Sequence, residues 1–219
     1  SEAGFAVVAA SSPTSHGELH LIDLNSGDVH TDTNLNKEFF NEYDIATLEK
    51  FSITRDDGFE IESRVWFPPD FDPSKKYPLI LDVHGGPHSA FYDSFYPIHQ
   101  IGTGAGYVVV APNPRGSSTY GLDFATAVHG DWGIGDYDDV IAAMEQVAAR
   151  DYIDESRVVI HGSSYGGFMS SWAVGHTDRF NAAVIAAPVT NLESFYGTSD
   201  IGVNFTETQI GGERFEAIE

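Results

Sequence analysis

The chain opens with short apolar-rich stretches at residues 4–10 and 18–24, followed by the turn Asn25-Ser26-Gly27-Asp28 and Val29-His30-Thr31. Turn residues of this kind between apolar runs predict a small antiparallel sheet of short strands. Three such strands bury too little surface to stand alone, so they read as the remnant of a larger β structure or as a lean-to on the main domain. Residues 31–44 are polar, as in a linker with a short helix. From Leu48 the pattern changes. Phe51-Ser52-Ile53-Thr54, a turn at Asp56-Asp57-Gly58 and an alternating run from Phe59 to Phe67 predict a long-armed hairpin, stopped by Pro68-Pro69. Continuous apolar runs at 78–83 and 107–111 read as buried central strands. Residues 136–150 have helical spacing, with Val140, Ile141, Met144, Val147 and Ala148 on one stripe and Asp138, Asp139 and Glu145 elsewhere. A short strand at 158–160, a helix over 165–174 and a strand over 182–187 complete the pattern. Strands alternating with helices predict an α/β fold, a mostly parallel sheet with helices on both faces.

Composition narrows the chemistry. With 219 residues, 42% of them hydrophobic, the chain can fill one good-sized core, or one domain plus a piece of another. No apolar run approaches the roughly 20 residues a membrane-spanning helix needs, and residues 1–20 do not read as a signal peptide, so the default expectation is a cytoplasmic protein. Cysteine is absent, which rules out disulfides, thiolate metal sites and cysteine nucleophiles within this chain. Thirty-three acidic residues against eleven basic ones give a net charge of -22. Such a charge repels phosphate backbones and anionic bilayers, so neither nucleic acid nor membrane is expected as a partner. The acids are scattered, and the charge reads as a solubility property of the whole surface, of a kind that suits a high-salt cytoplasm. An ordinary acidic protein is the alternative.

The candidate chemistry lies in His161-Gly162-Ser163-Ser164-Tyr165-Gly166-Gly167. A serine hydroxyl attacks well only when held exposed beside a base, with donors aimed at the oxygen that becomes negative. Glycines two before and two after Ser164 allow a tight turn between the strand at 158–160 and the following helix. That turn lifts the Ser164 hydroxyl to the end of the sheet and aims the Tyr165 N–H at the developing oxyanion. Ser163 falls on the other side of the turn. A flexible glycine-serine loop is the plain alternative, and His84-Gly85-Gly86-Pro87 argues against it. This second motif follows a buried strand and can bring the Gly86 N–H to the same oxyanion.

Taken in order, His84-Gly85-Gly86-Pro87-His88, Asn113-Pro114-Arg115-Gly116-Ser117, Gly130-Asp131-Trp132-Gly133, residues 136–139, residues 162–167 and Ser194-Phe195-Tyr196-Gly197 resemble the prolyl oligopeptidase family of serine peptidases. The resemblance is to its acylaminoacyl-peptidase and oligopeptidase-like branch, and it spans residues 48–212. It implies an α/β-hydrolase fold, incomplete at the C-terminus and preceded by a propeller. Residues 1–45 would then be a last-blade remnant and linker, and residues 46–219 the N-terminal part of the peptidase domain. It also implies hydrolysis of short or N-blocked peptides through an acyl-enzyme at Ser164, with Tyr165 and Gly86 as oxyanion donors. No metal or organic cofactor is implied, and homo-oligomerisation is left open. Some members carry a tyrosine donor where His84 stands, a device this chain lacks. Val189, Leu192 and Phe195 match positions lining the substrate pocket, with ordinary core as the alternative. Arg115 is expected in structural ion pairs, and His88, His129 and His161 have no partner that the sequence identifies.

A working site of this fold needs an acid and then a histidine after the serine. The histidine after Ser164 is His176, about 18 Å away along a helix rising about 1.5 Å per residue, beyond proton-transfer reach. Asp178, Glu193 and Asp200 thus have no histidine to orient, and residues 211–219 offer no closing strand. The expectation is a piece of a longer protein whose acid and histidine lie beyond Glu219, with little or no turnover by this chain alone. An esterase or lipase on the same fold, and a non-catalytic fragment that binds peptides or assembles with another chain, are the alternatives.

Overall fold

The computed structural model describes residues 4–210. The expectation about residues 211–219 therefore lies outside the described residues. Strands β1 (Phe5–Ser12), β2 (Ser15–Asp23) and β3 (Val29–Thr31) form a separate antiparallel sheet in the order β1-β2-β3. Its second turn is tied by Asp23, whose carboxylate accepts the N–H groups of Asn25 and Ser26. Helix α1 (Lys37–Glu42) follows. The ring of Phe95 meets His16 from the small sheet and Phe39 and Phe40 from α1 at 5.5–6.1 Å, joining this segment to the larger body.

The second sheet contains β4 (Thr47–Thr54), β5 (Glu60–Phe67), β6 (Tyr77–Val83), β7 (Val108–Pro112), β8 (Ile153–Ser163) and β9 (Ala182–Ala186), ordered β4-β5-β7-β6-β8-β9. The β4–β5 hairpin pairs antiparallel with β7, and β7, β6, β8 and β9 run parallel. Side chains alternate across the sheet. Leu79, Leu81 and Val83 pack with Val140, Met144 and Val147 of α4 (Gly135–Ala148) and Met169 and Ala173 of α5 (Tyr165–His176). On the opposite face Trp66, Val109 and Ala111 pack with Phe91 and Tyr96 beside α2 (Pro97–Gly104). Leu79, Leu81 and Ile160 have no exposed surface, and burying each such side chain contributes about 2 kcal/mol. Helices α3 (Leu122–Thr126), α6 (Leu192–Thr198) and α7 (Gly202–Ile210) complete the described fold. Among the described residues no helix is long and apolar enough to cross a membrane.

The architecture is the α/β fold that the strand and helix pattern predicted, arranged as the α/β-hydrolase fold that the resemblance implied, with two local differences. Strand β8 starts at Ile153, five residues before the expected strand, because Tyr77 pairs with Ile153 ahead of an irregularity in the ladder. Asp139 was placed off the apolar stripe of α4, yet its side chain is completely buried. It faces inward because Arg115 supplies its backbone N–H at 3.0 Å and its guanidinium at 2.8 and 2.9 Å, which satisfies the buried charge. Arg115 also pairs with Asp57 at 2.7 Å, in agreement with the ion-pairing role expected of it.

Candidate active site

Ser164 stands at the junction of β8 and α5, with φ 60° and ψ -119°, a left-handed conformation that is costly for a residue bearing a Cβ. The glycines around it are required by close approach. A Cβ at Gly166 would lie 2.0 Å from the Val83 carbonyl oxygen, and one at Gly162 would lie 2.2 Å from the Gly166 carbonyl oxygen. The turn is therefore pressed against the end of β6, and the Ser164 side chain remains exposed. Tyr165 is the first residue of α5, so its N–H belongs to the set without an intrahelical acceptor, at the positive end of the helix dipole. The glycine loop after β6 runs beside the serine: a Cβ at Gly85 would lie 3.5 Å from Ser164 Cβ. Gly86 has φ 128°, and its N–H donates no hydrogen bond among the described residues. Tyr165 follows Ser164 in the chain, and the Gly85–Gly86 loop runs alongside it through Gly85.

A buried carboxyl group supports the turn from below. The Tyr165 ring is fully buried, and its hydroxyl donates to Asp136 at the start of α4. The other Asp136 oxygen accepts the N–H groups of Gly133 at 2.8 Å and Tyr137 at 2.9 Å. Burial pushes both the Asp136 carboxyl and the Tyr165 phenol above their ordinary pKa values, and the nearby carboxyl raises the phenol further. Trp132 packs edge-on against Tyr165 with ring centroids 4.8 Å apart. Sequence reasoning matched Asp136 and Trp132 to motifs without assigning them work. Their work was hidden because Asp136 and Tyr165 are 29 residues apart in the chain and only the fold brings them together.

Of the residues expected to line a pocket, Val189 is buried, while Leu192 and Phe195 are partly buried on α6. The Phe195 ring lies 5.6 Å from Phe205, Phe205 lies 5.8 Å from Trp132, and Trp132 reaches Tyr165. A row of rings therefore connects α6 to the nucleophile turn. An apolar cleft of about 290 Å³, with Ile80, His99, Val109 and Val159 among its lining residues, includes neither Ser164 nor Gly86.

Each histidine near the catalytic end is engaged elsewhere, and the Ser164 hydroxyl has no hydrogen bond among the described residues. His161 Nδ1 and His99 Nε2 lie 2.5 and 2.7 Å from the two oxygens of buried Asp82, on the α2 side of the sheet. The hydrogen bond to Asp82 holds the His161 pKa above its ordinary value. His88 Nδ1 donates to the Gly116 carbonyl oxygen at 2.9 Å, and its Nε2 accepts from Gln209 at 2.9 Å. His129 lies 3.4 Å from His88 through their Nε2 atoms. His176 ends α5 and stacks on Trp172 at 4.0 Å, a full helix away from Ser164. Asp178, Glu193 and Asp200 are exposed. Among the described residues no group of three or more His, Asp or Glu side chains is arranged to hold a metal ion.

A serine at the apex of a strand-turn-helix elbow, beside a glycine loop from the neighbouring parallel strand, is the arrangement of the α/β-hydrolases. The chain belongs to the prolyl oligopeptidase family, peptidase family S9, which matches residues 93–217. It is 39% identical to the uncharacterized peptidase YuxL of Bacillus subtilis over 214 residues, covering 97% of this chain and 32% of that protein. It is 33% identical to dipeptidyl-peptidase 5 of Porphyromonas gingivalis over 202 residues, covering 91% of this chain and 29% of the relative. The fold superimposes on the acylaminoacyl peptidase of Pyrococcus horikoshii with a TM-score of 0.89 at 28% identity, covering 97% of this chain and 34% of that structure. The chain thus spans about a third of the length of these relatives.

Proposed function

We propose that the protein is a serine-type peptidase acting on short or N-blocked peptides through an acyl-enzyme at Ser164. The observation that carries this reading is the exposed, left-handed Ser164 at the start of α5, beside the glycine loop that follows β6; in this reading the Tyr165 and Gly86 N–H groups are the oxyanion donors. Ser164 Oγ attacks the scissile carbonyl carbon and loses its proton to a general base. The two N–H groups stabilise the oxyanion, the C–N bond breaks as the amine takes the proton, and water then hydrolyses the ester. Relatives named as a dipeptidyl-peptidase and an acylaminoacyl peptidase support a peptide substrate over a simple ester.

The base and its acid partner, in this reading, are supplied by residues outside 4–210, because no described histidine serves Ser164. The described chain alone is then slow or inactive. The test compares acetylated peptide amides, unblocked peptides and p-nitrophenyl esters as substrates for a protein extended to the length of the relatives, for the present chain, and for each with Ser164→Ala. Amide hydrolysis by the extended protein, lost in Ser164→Ala, is the expected result. Turnover of esters alone moves the reading to an esterase. Amide hydrolysis that survives Ser164→Ala removes the proposed nucleophile.

A further inference from the structure

Two histidines from different loops meet edge to edge beside the end of α7. His88 lies on the loop after β6, and His129 lies in the segment between α3 and α4. Their Nε2 atoms are 3.4 Å apart, and their ring centroids are 5.4 Å apart with the planes at 76°. That separation is longer than a good hydrogen bond. It matches a different geometry. Two imidazole nitrogens held at about 2.0–2.1 Å from one tetrahedral ion stand about 3.4 Å apart, which puts their ring centroids about 5.3 Å apart.

The protons on these groups suit an ion. His88 Nδ1 donates to the Gly116 carbonyl oxygen at 2.9 Å, so its Nε2 keeps a lone pair. A far ring N–H given to a carbonyl is also how metal-binding imidazoles are held in orientation. Burial, and then the neighbouring His88, keep the His129 pKa below its ordinary value, so that ring is uncharged at neutral pH and offers a lone pair of its own. The Gln209 amide lies against the pair, with its Nε2 donating to His88 at 2.9 Å and its Oε1 accepting from Trp132 at 3.3 Å. Turning this amide over exchanges the two atoms and brings an oxygen to His88 in place of a donor. The three segments are held together by backbone. A Cβ at Gly116 would lie 2.8 Å from the Val128 side chain, and the Gly130 N–H donates to the Gln209 carbonyl oxygen at 2.6 Å.

We propose that His88 Nε2 and His129 Nε2 bind one divalent transition ion, with Gln209 Oε1 as a third ligand once its amide has turned over. Imidazole ligands suit zinc, nickel and copper, whereas magnesium and calcium take oxygen ligands. Two imidazoles and an amide make an open site, in which water fills the remaining positions. The bound ion fastens the loop after β6 to the end of α7. This site is separate from the chemistry of Ser164, and its test needs no turnover.

The test sets the chelator-stripped protein, extended to the length of its relatives, against a chromophoric chelator in competition for Zn²⁺. His88→Ala and His129→Ala are each expected to weaken zinc binding by roughly 10-fold or more. Gln209→Glu supplies a carboxylate in place of the amide oxygen and is expected to tighten it by roughly 10-fold or more. His176→Ala, at the far end of α5, is expected to leave the affinity unchanged, and excess Mg²⁺ to displace nothing. The denaturation midpoint is expected to rise with Zn²⁺ in the unsubstituted protein and not in His129→Ala. A crystal soaked in Zn²⁺ is expected to show an anomalous-scattering peak between the two Nε2 atoms. No zinc binding, an affinity unchanged in His129→Ala, or a peak only at other residues overturns the proposal. Should His88→Ala not fold, His129→Ala and the anomalous peak decide.

Discussion

At the scale of single residues, the nucleophile turn holds strain that its neighbours are shaped to enforce. Ser164 stays at φ 60° because β6 and the Gly162–Gly166 contact leave the backbone no other path. Left-handed strain in a residue with a Cβ costs about 1–3 kcal/mol, and glycine largely avoids it. Ser164→Gly is therefore expected to be more stable than Ser164→Ala by about 1 kcal/mol, after allowing for the greater freedom of glycine in the unfolded chain. Urea denaturation of the two variants checks this. Equal stabilities, or a more stable alanine variant, would mean that the turn is relaxed.

At the scale of elements, β6 and β8 are joined by a charged contact on the α2 side of the sheet, where Asp82 lies between His99 and His161. Pairing with Asp82 raises the folded-state pKa of His161, so the folded protein holds that proton more tightly than the unfolded chain. The resulting stabilisation is fully present below the ordinary histidine pKa of about 6.5 and is lost as pH rises through the higher folded value. Between about pH 6 and about pH 9 the unsubstituted protein is expected to lose more stability than His161→Gln, as read from denaturation midpoints. Identical pH profiles would show that the contact does not titrate as described. The strand and helix alternation that placed Ser164 between β8 and α5 was legible in the sequence, because periodicity and glycine spacing are local properties. Helices α2 and α6 were not. In α2 the inward positions include His99 and Thr103 while Ile98 and Ile101 face out, which inverts the usual amphipathic signal. Asp139 was misplaced for a related reason: its partner Arg115 is 24 residues away in the chain, and only the fold brings them together. Ser117 at His84, the Gly116 carbonyl at His88 and Asp82 at His161 lie in separate loops and strands, so spacing alone carried no trace of them.

At the scale of the whole molecule, a net charge of -22 dominates, since there are too few basic residues to neutralise the acids even where Arg64, Arg115, Arg150 and Arg179 are each ion-paired. Repulsion among unpaired surface carboxylates opposes the compact state, and it is screened as the Debye length falls from about 10 Å at 0.1 M salt to about 3 Å at 1 M. The denaturation midpoint is expected to rise with potassium chloride across that range, and a flat or falling curve would show that the surface charge does not limit stability. The central claim, however, concerns one atom of this molecule, the Ser164 hydroxyl. A fluorophosphonate probe, followed by mass-spectrometric mapping of the modified residue, tests it most directly in the protein extended to the length of its relatives. The account predicts phosphonylation at Ser164, absent in Ser164→Ala. Modification of a different serine, or a folded and unreactive Ser164 in that extended protein, would contradict it.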